Sequence, residues 1–181
     1  RTDIGEDAIV DALAEFVSNT ARSTTIANGE VSVATIEHVL SALTGMGVDN
    51  ALIDIDNIEV PILDGSAKPY IDAIWADGFQ QQDAPRRYIE IKKTIEIRNE
   101  EKGSLVRIEP AEEFSYNIKV DFNSRVLGVQ NAQWDSSVVY PEEIGICRTF
   151  VFFHEIEFLY RNNLVKGGDV DNAIVIVEHP V

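Results

Sequence analysis

The sequence contains one cysteine and no long apolar run. Because Cys147 has no second cysteine to pair with, a disulfide-stabilised fold is excluded and a reducing cytoplasm is favoured. The apolar residues beside Cys147 predict a small core residue rather than a nucleophile. No stretch of about 18 apolar residues occurs, so a membrane-spanning helix is excluded. We therefore predict a cytoplasmic protein without a transmembrane segment.

Basic residues are also scarce. The 181 residues include 15 Lys and Arg against 31 Asp and Glu, which gives a net charge of −16 at pH 7. A surface this negative repels DNA, RNA and anionic lipid, so we predict that the protein binds no nucleic acid. The remaining composition, 45% hydrophobic and 25% charged, is typical of a globular protein.

One polar segment with Pro and Gly, residues 78–87, interrupts the chain between a helical pattern and a strand pattern. Such a change of composition is typical of a linker. We therefore predict an α+β protein of two small domains, residues 1–84 and 86–181. Each domain is expected to contain a β-sheet packed with helices.

Apolar residues at helical spacing between positions 36 and 43 predict an amphipathic helix, with Thr35 or Ser32 as its cap and Gly45 at its end. A second helix is predicted to follow residues 64–66. Two more are predicted after Pro141 and at about residues 152–161. Strands are predicted where short stretches are rich in apolar residues, at residues 51–55, 89–91, 95–97, 105–108, 116–122 and 173–177. Residues 7–20 combine helical spacing with an extended-looking end, so the pattern leaves them ambiguous.

Glu37 and His38 are the most informative polar pair. On the first predicted helix, His38 points away from the apolar side and Glu37 lies on its flank. Their outward neighbours are small residues, which would leave room for a metal, a water and a substrate: Ser41, Ala42, Thr44 and Gly45. Taken alone, the pattern fits two polar surface residues on a capped helix better than it fits a site.

The other candidate residues are weaker when they are considered singly. A catalytic zinc usually has three protein ligands, and neither His154 nor His179 lies at a recognised ligand spacing from His38. Thr149 could donate a hydrogen bond to an oxyanion, although a helix cap is the simpler interpretation. The paired glycines at 167–168 would let the backbone approach a ligand closely.

Longer segments carry a family resemblance. The segment TIEHVLSALTGMGVDN at residues 35–50 closely resembles the zinc-binding helix of the UDP-3-O-acyl-N-acetylglucosamine deacetylase family. Further matches follow in the family's order, namely EVPILDGSA at 59–67, DFN at 121–123, RTF at 148–150, EIEFL at 155–159 and GGDVDNAIV at 167–175. On these segments the chain is identified as a member of that family. The resemblance implies two α+β domains and a largely extended conformation for residues 7–20.

The same resemblance implies roles for three residues in catalysis. By position, His38 matches a ligand of Zn²⁺, and Glu37 matches the general base that takes a proton from water. Thr149 matches a residue that hydrogen-bonds the tetrahedral oxyanion. The implied reaction is zinc-dependent hydrolysis of the acetamide of UDP-3-O-(hydroxyacyl)-N-acetylglucosamine. It releases acetate during lipid A biosynthesis in a Gram-negative bacterium.

Three further residues match substrate-binding positions of the family. Phe150 and Gly168 correspond to the lining of the passage for the acyl chain of the substrate. Phe122 corresponds to an aromatic residue placed against the uridine. The implied partner is therefore the UDP-3-O-acyl-N-acetylglucosamine substrate.

The sequence departs from the family in one respect. The family's other two zinc ligands lie on a segment of the form H-K-x-x-D-x-x-G-D, followed by a general-acid His, and the 181 residues contain neither. First-domain strands expected ahead of Arg1 are also missing. We therefore expect a fragment that lacks both ends. The alternative function is a catalytically inactive scaffold that binds no zinc tightly and could oligomerise through surface exposed by truncation.

Overall fold

The computed structural model describes residues 1–162, 164 and 167–178. This described part is α+β, as predicted, with four α-helices and nine short strands. It forms two compact units, the first comprising residues 1–80, 124–126 and those from 139 onward, the second residues 81–123 and 127–138. Residues from 139 onward lie with the first unit in this division. The predicted domains, 1–84 and 86–181, stay a prediction.

The first unit begins with a small antiparallel sheet. Strands β1 (Val17–Asn19), β2 (Thr25–Asn28) and β3 (Val31–Val33) lie in that order. Ile26 pairs with Val33 across β2 and β3, and both side chains are buried. Because side chains alternate along a strand, this pairing places two apolar residues on the same face of the sheet.

Helix α1 (Glu37–Gly45) covers that apolar face, as the periodicity predicts. The first core cluster consists of buried residues from the sheet, the helix and one following segment, namely Ile26, Val33, Ile36, Val39 and Val60. The predicted cap is wrong, because the N-cap residue is Ile36 and no side chain caps the helix. The Thr35 hydroxyl instead donates to Oε1 of Glu59 at 2.6 Å.

Helix α2 (Lys68–Asp77) confirms the second predicted helix and packs against α1. The backbone N–H and hydroxyl of Ser66 both donate to Oδ1 of Asp64, at 2.9 and 2.8 Å, which shapes the turn before α2. Ala67 and Ile71 join a second core cluster with residues of α1 and of the chain after position 139.

The rest of the first unit lies in the second half of the sequence. It contains α3 (Tyr140–Glu143), β8 (Phe150–Phe152), α4 (Phe153–Arg161) and β9 (Ile174–Ile176). The predicted helices after Pro141 and near 152–161 and the predicted strand near 173–177 are confirmed. Strand β8 was not predicted; it pairs with β9 in parallel, with Phe150 opposite Ile174.

The second unit contains two antiparallel hairpins. Strands β4 (Ile95–Asn99) and β5 (Ser104–Ile108) form one, and β6 (Tyr116–Asp121) and β7 (Val129–Trp134) form the other. These elements confirm three of the predicted strands. Tyr116 and Trp134 stack across β6 and β7 with ring centroids 5.7 Å apart.

Several local expectations are wrong. Residues 51–55 and 89–91 form no strand, because in the described part of the chain neither segment pairs with another strand. Residues 7–20 contain no α-helix, only a 3-10 turn at Ala14–Phe16 and β1, as the family resemblance implies. Cys147 is exposed rather than buried. None of the helices in the described part has the length and apolar character needed to cross a bilayer.

Candidate functional site

Two of the small residues of α1 near His38 face other parts of the first unit. Ala42 is fully buried and packs in the second core cluster with Ile71 of α2. Gly45 lies so close to the ring of Tyr140 that a Cβ at that position would overlap it. The expectation that Ala42 and Gly45 leave room for a metal and a substrate is therefore wrong. Their small size admits α2 and Tyr140 instead.

Glu37 opens α1 as a half-buried carboxylate with a defined backbone partner. The backbone N–H of Thr24 donates to Oε2 of Glu37 at 3.0 Å. The Thr24 carbonyl in turn accepts a hydrogen bond from the N–H of Ile36 at 3.3 Å. The start of β2 is thereby fixed to the start of α1, and one carboxylate oxygen of Glu37 is held in a set direction.

The same loop carries an ion pair two residues earlier. Nη2 of Arg22 lies 2.7 Å from Oε1 of Glu155, and Nη1 lies 3.2 Å from Oε2. These hydrogen bonds from Arg22 outweigh partial burial and lower the pKa of Glu155 below its ordinary value of 4.5. They raise the pKa of Arg22 in the same way. Because Glu155 is on α4, the pair joins the loop before β2 to that helix.

We expect Arg22→Gln to lower the free energy of unfolding at pH 7 by about 0.2–1 kcal/mol, since the pair is partly exposed. A carboxylate with a lowered folded-state pKa stabilises the fold above its unfolded pKa, and this contribution is lost as the pH falls through the folded value. The difference between wild type and variant should therefore disappear in acid. Urea unfolding between pH 7 and pH 2 measures it. With Glu155→Gln already present, Arg22→Gln should cause no further loss; a full additional loss would contradict the pairing.

His38 follows Glu37 on the first turn of α1 and is half-buried. Its imidazole can supply a nitrogen ligand to a metal. Among the described residues, however, no group of three His, Cys, Asp or Glu side chains lies close enough together to hold an ion. Since a catalytic zinc usually has three protein ligands, the described residues fit Zn²⁺ only through His38. His154 is exposed on α4 with its ring stacked on Phe152, and His179 lies outside the described residues.

Thr149 lies immediately before β8 and is held through its backbone. Its N–H donates to the carbonyl of Gly65 at 2.7 Å, and its carbonyl accepts from the N–H of Ile174 at 3.0 Å. The simpler interpretation of Thr149 as a helix cap is wrong, since α4 begins at Phe153 with Phe152 as its N-cap residue. The hydroxyl is therefore not used as a cap.

The predicted substrate-binding residues lie in three different places. Phe150 is half-buried on β8, with its ring edge-to-face against Phe152 at 5.6 Å. Gly168 is exposed in the segment between α4 and β9. Phe122 follows β6 in the second unit, where its N–H donates to the carbonyl of Gly128 at 3.1 Å.

No sequence pattern predicted the contacts of Arg148 and Gly65. Nε of Arg148 donates to the carbonyl of Asp64 at 2.8 Å, and Nη2 donates to the carbonyl of Asp171 at 2.6 Å. Burial opposes ionisation of Asp64, but hydrogen bonds from Ser66 and the charge of Arg148 outweigh it and lower the pKa of Asp64. The only sequence signal for these contacts was the turn composition of residues 64–66.

Comparison with known proteins agrees with the resemblance. The profile of a family described as "LpxC: UDP-3-O-acyl N-acetylglycosamine deacetylase" matches residues 1–181. The chain is 44% identical to a bifunctional enzyme LpxC/FabZ of Porphyromonas gingivalis, over 100% of the chain and 39% of that protein. It is 43% identical to a UDP-3-O-acyl-N-acetylglucosamine deacetylase of Helicobacter hepaticus, over 100% of the chain and 60% of the relative.

A similar deacetylase of Methylococcus capsulatus is 40% identical over 97% of the chain and 58% of its own length. The chain thus spans between 39% and 60% of these curated relatives. The matches extend over essentially all of the present sequence, including the segments that contain Glu37, His38 and Thr149. The chain belongs to the LpxC family of UDP-3-O-acyl N-acetylglycosamine deacetylases.

Proposed function

We propose that the protein containing this sequence hydrolyses the acetamide of UDP-3-O-(hydroxyacyl)-N-acetylglucosamine and releases acetate, in lipid A biosynthesis. The observation that carries the proposal is the adjacent pair of Glu37 and His38 on the first turn of α1 in a chain of this family. Two relatives that are 40% and 43% identical over 97% and 100% of the chain are named as UDP-3-O-acyl-N-acetylglucosamine deacetylases.

In this proposal Glu37 is the general base. A carboxylate accepts a proton from water as the water oxygen attacks the acetamide carbonyl. The Thr24 N–H occupies one side of Oε2, so the carboxylate keeps its direction while a remaining lone pair can take the proton. The acetamide C–N bond then breaks, the water oxygen leaves with acetate, and the departing amine takes up the proton that Glu37 removed from water, which regenerates the carboxylate.

Thr149 is the proposed donor to the oxyanion. Tetrahedral intermediates of acyl transfer place negative charge on the former carbonyl oxygen, and a fixed donor stabilises it. The Thr149 backbone is bonded at both its N–H and its carbonyl, so the hydroxyl starts from a fixed Cα. Such pre-organisation avoids reorganisation during the reaction.

Zn²⁺ is the proposed cofactor, with His38 as one of its ligands. When bound, such an ion polarises a carbonyl and lowers the pKa of a coordinated water. His38 is neutral in its ligand form, and its place beside Glu37 would put base and metal on one turn of α1.

Substrate contacts are proposed for three residues. We assign Phe150 and Gly168 to the acyl chain, since one offers an aromatic ring on β8 and the other an exposed backbone without a side chain. Phe122 is assigned to the uridine, against which an aromatic ring can stack. A cytoplasmic location agrees with a nucleotide-sugar substrate.

The alternative is that the 181 residues alone are a catalytically inactive scaffold that binds no zinc tightly. The observation in its favour is that the described residues offer His38 without two further ligands nearby. Oligomerisation through exposed apolar surface belongs to the same alternative. Both proposals can hold together, one for the complete protein and one for this chain in isolation.

Measurement of zinc content tests both the proposed function and the scaffold alternative. In the complete natural protein that contains this sequence, we expect about one zinc per chain by elemental analysis. His38→Ala should lose it, whereas His154→Ala should retain it, because His154 is exposed on α4. Zinc retained by His38→Ala would contradict the ligand assignment. Tight zinc binding by the isolated 181-residue chain would contradict the scaffold alternative.

A further inference from the structure

Three backbone segments of the first unit meet around Arg148 and Thr149. They are the turn at residues 64–66, the residues that lead into β8, and the segment 169–172 before β9. Thr149 donates to Gly65 at 2.7 Å and accepts from Ile174 at 3.0 Å, so it lies between the turn and β9. We propose that Gly65 is a positioning residue that sets the place of Thr149, an inference that rests on the proposed function for the role of the Thr149 hydroxyl.

Gly65 is buried and has φ +80°, a conformation that residues with a Cβ rarely adopt. A Cβ at this position would overlap the carbonyl oxygen of Asn172, and would lie 2.8 Å from its carbonyl carbon and 3.1 Å from Cγ2 of Thr149. Two of these three atoms belong to the backbone. A side chain at 65 therefore has to displace segment 169–172, Thr149 or the turn itself.

Arg148 also connects the same three segments. Its guanidinium donates to the carbonyl of Asp64 in the turn and to the carbonyls of Val170 and Asp171 at 3.3 and 2.6 Å. The backbone of the turn can approach segment 169–172 this closely only because position 65 lacks a side chain. The absence of a Cβ thus determines where Thr149 lies.

The first test uses the complete natural protein. We expect Gly65→Ala to lower kcat for deacetylation by about 10- to 100-fold, since displacement of a catalytic group by about 1 Å has effects of this size. Zinc content and KM should stay close to wild type, because Gly65 itself contacts neither metal nor substrate in this proposal. Gly29→Ala is the matched control, since Gly29 also has a positive φ, +61°, but a Cβ there would meet nothing within 4 Å. Its kcat should be unchanged.

The second test uses amide NMR shifts of the 181-residue chain. Gly65→Ala should shift the Thr149 and Ile174 amide signals, whereas Gly29→Ala should not. If Gly65→Ala does not fold, Arg148→Gln is the second variant. It removes hydrogen bonds between the turn at 64–66 and segment 169–172 without adding an atom that overlaps the backbone. It should lower kcat while KM is retained. Unchanged kcat in a folded Gly65→Ala or Arg148→Gln variant would overturn the inference. Absence of deacetylase activity in the wild-type complete protein would instead overturn the proposed function, and the amide shifts would still decide whether Gly65 places Thr149.

Discussion

Glu37→Gln is expected to lower kcat for acetamide hydrolysis by about 10²- to 10⁴-fold in the complete protein, the usual contribution of a general base. The substitution keeps the size of the side chain and removes its ability to take a proton. The amide oxygen of Gln can still accept the Thr24 N–H, which lies 3.0 Å from Oε2 in the native chain. The start of α1 should therefore keep its structure, and the loss should fall on kcat. Acetate release under saturating substrate measures it.

Glu30→Gln is the matched control for Glu37→Gln. Glu30 is an exposed carboxylate in the turn between β2 and β3 of the same unit, so its neutralisation alters net charge by the same amount. Its kcat should equal that of wild type. Zinc content and melting temperature should be alike in all three proteins. A Glu37→Gln variant with wild-type kcat would show that another group takes the proton from water.

Ile71→Ala is expected to lower the free energy of unfolding by about 2–5 kcal/mol, the range for a large apolar side chain truncated in a core. Ile71 is 1% exposed on α2 and packs in the cluster that contains Ala42 and Tyr140. Its Cδ1 fills the space beside Gly145, where a Cβ would overlap it. The surroundings are thus tightly packed, and removal of three carbon atoms leaves a cavity that they cannot fill. Guanidinium unfolding of the 181-residue chain measures the change.

Trp75→Ala is the control for Ile71→Ala on the same helix. Trp75 is 64% exposed, so its truncation removes little buried area. We expect a change within about 0.5 kcal/mol, as for surface substitutions away from special features. Equal losses in the two variants would mean that the second core cluster does not hold α1 and α2 together.

The fold was predictable where local periodicity is strong. Helices α1 and α2 were predicted because apolar residues recur at helical spacing and a turn residue follows or precedes them. In hairpin β6–β7, only β6 was predicted, from the alternation of apolar and polar residues along it. The strand predictions were wrong where pairing with a distant segment decides whether a strand forms. Residues 51–55 look like a strand and have no strand partner in the described part, whereas β8 became a strand because β9 lies beside it.

The candidate site was only partly predictable. Glu37 and His38 could be singled out as an unusual pair, but the residue pattern alone favoured two surface residues, and their roles came from the family resemblance. Two small neighbours on α1, Ala42 and Gly45, were misinterpreted, because spacing along a helix tells which residues share a face and not what that face meets. Ala42, thought to open a site, is fully buried beneath α2.

The sequence by itself determined the class of fold, the acidic surface, the lack of a disulfide framework and the family. These properties depend on composition, on local periodicity or on the order of motifs along the chain. Only the tertiary structure decided that Thr24 directs Glu37, that Arg22 pairs with Glu155, and that Gly65 lies against Asn172 and Thr149. The physical reason is separation along the chain. Arg148 and Asp64 are 84 positions apart, and no local pattern specifies which backbone atoms such distant segments bring together.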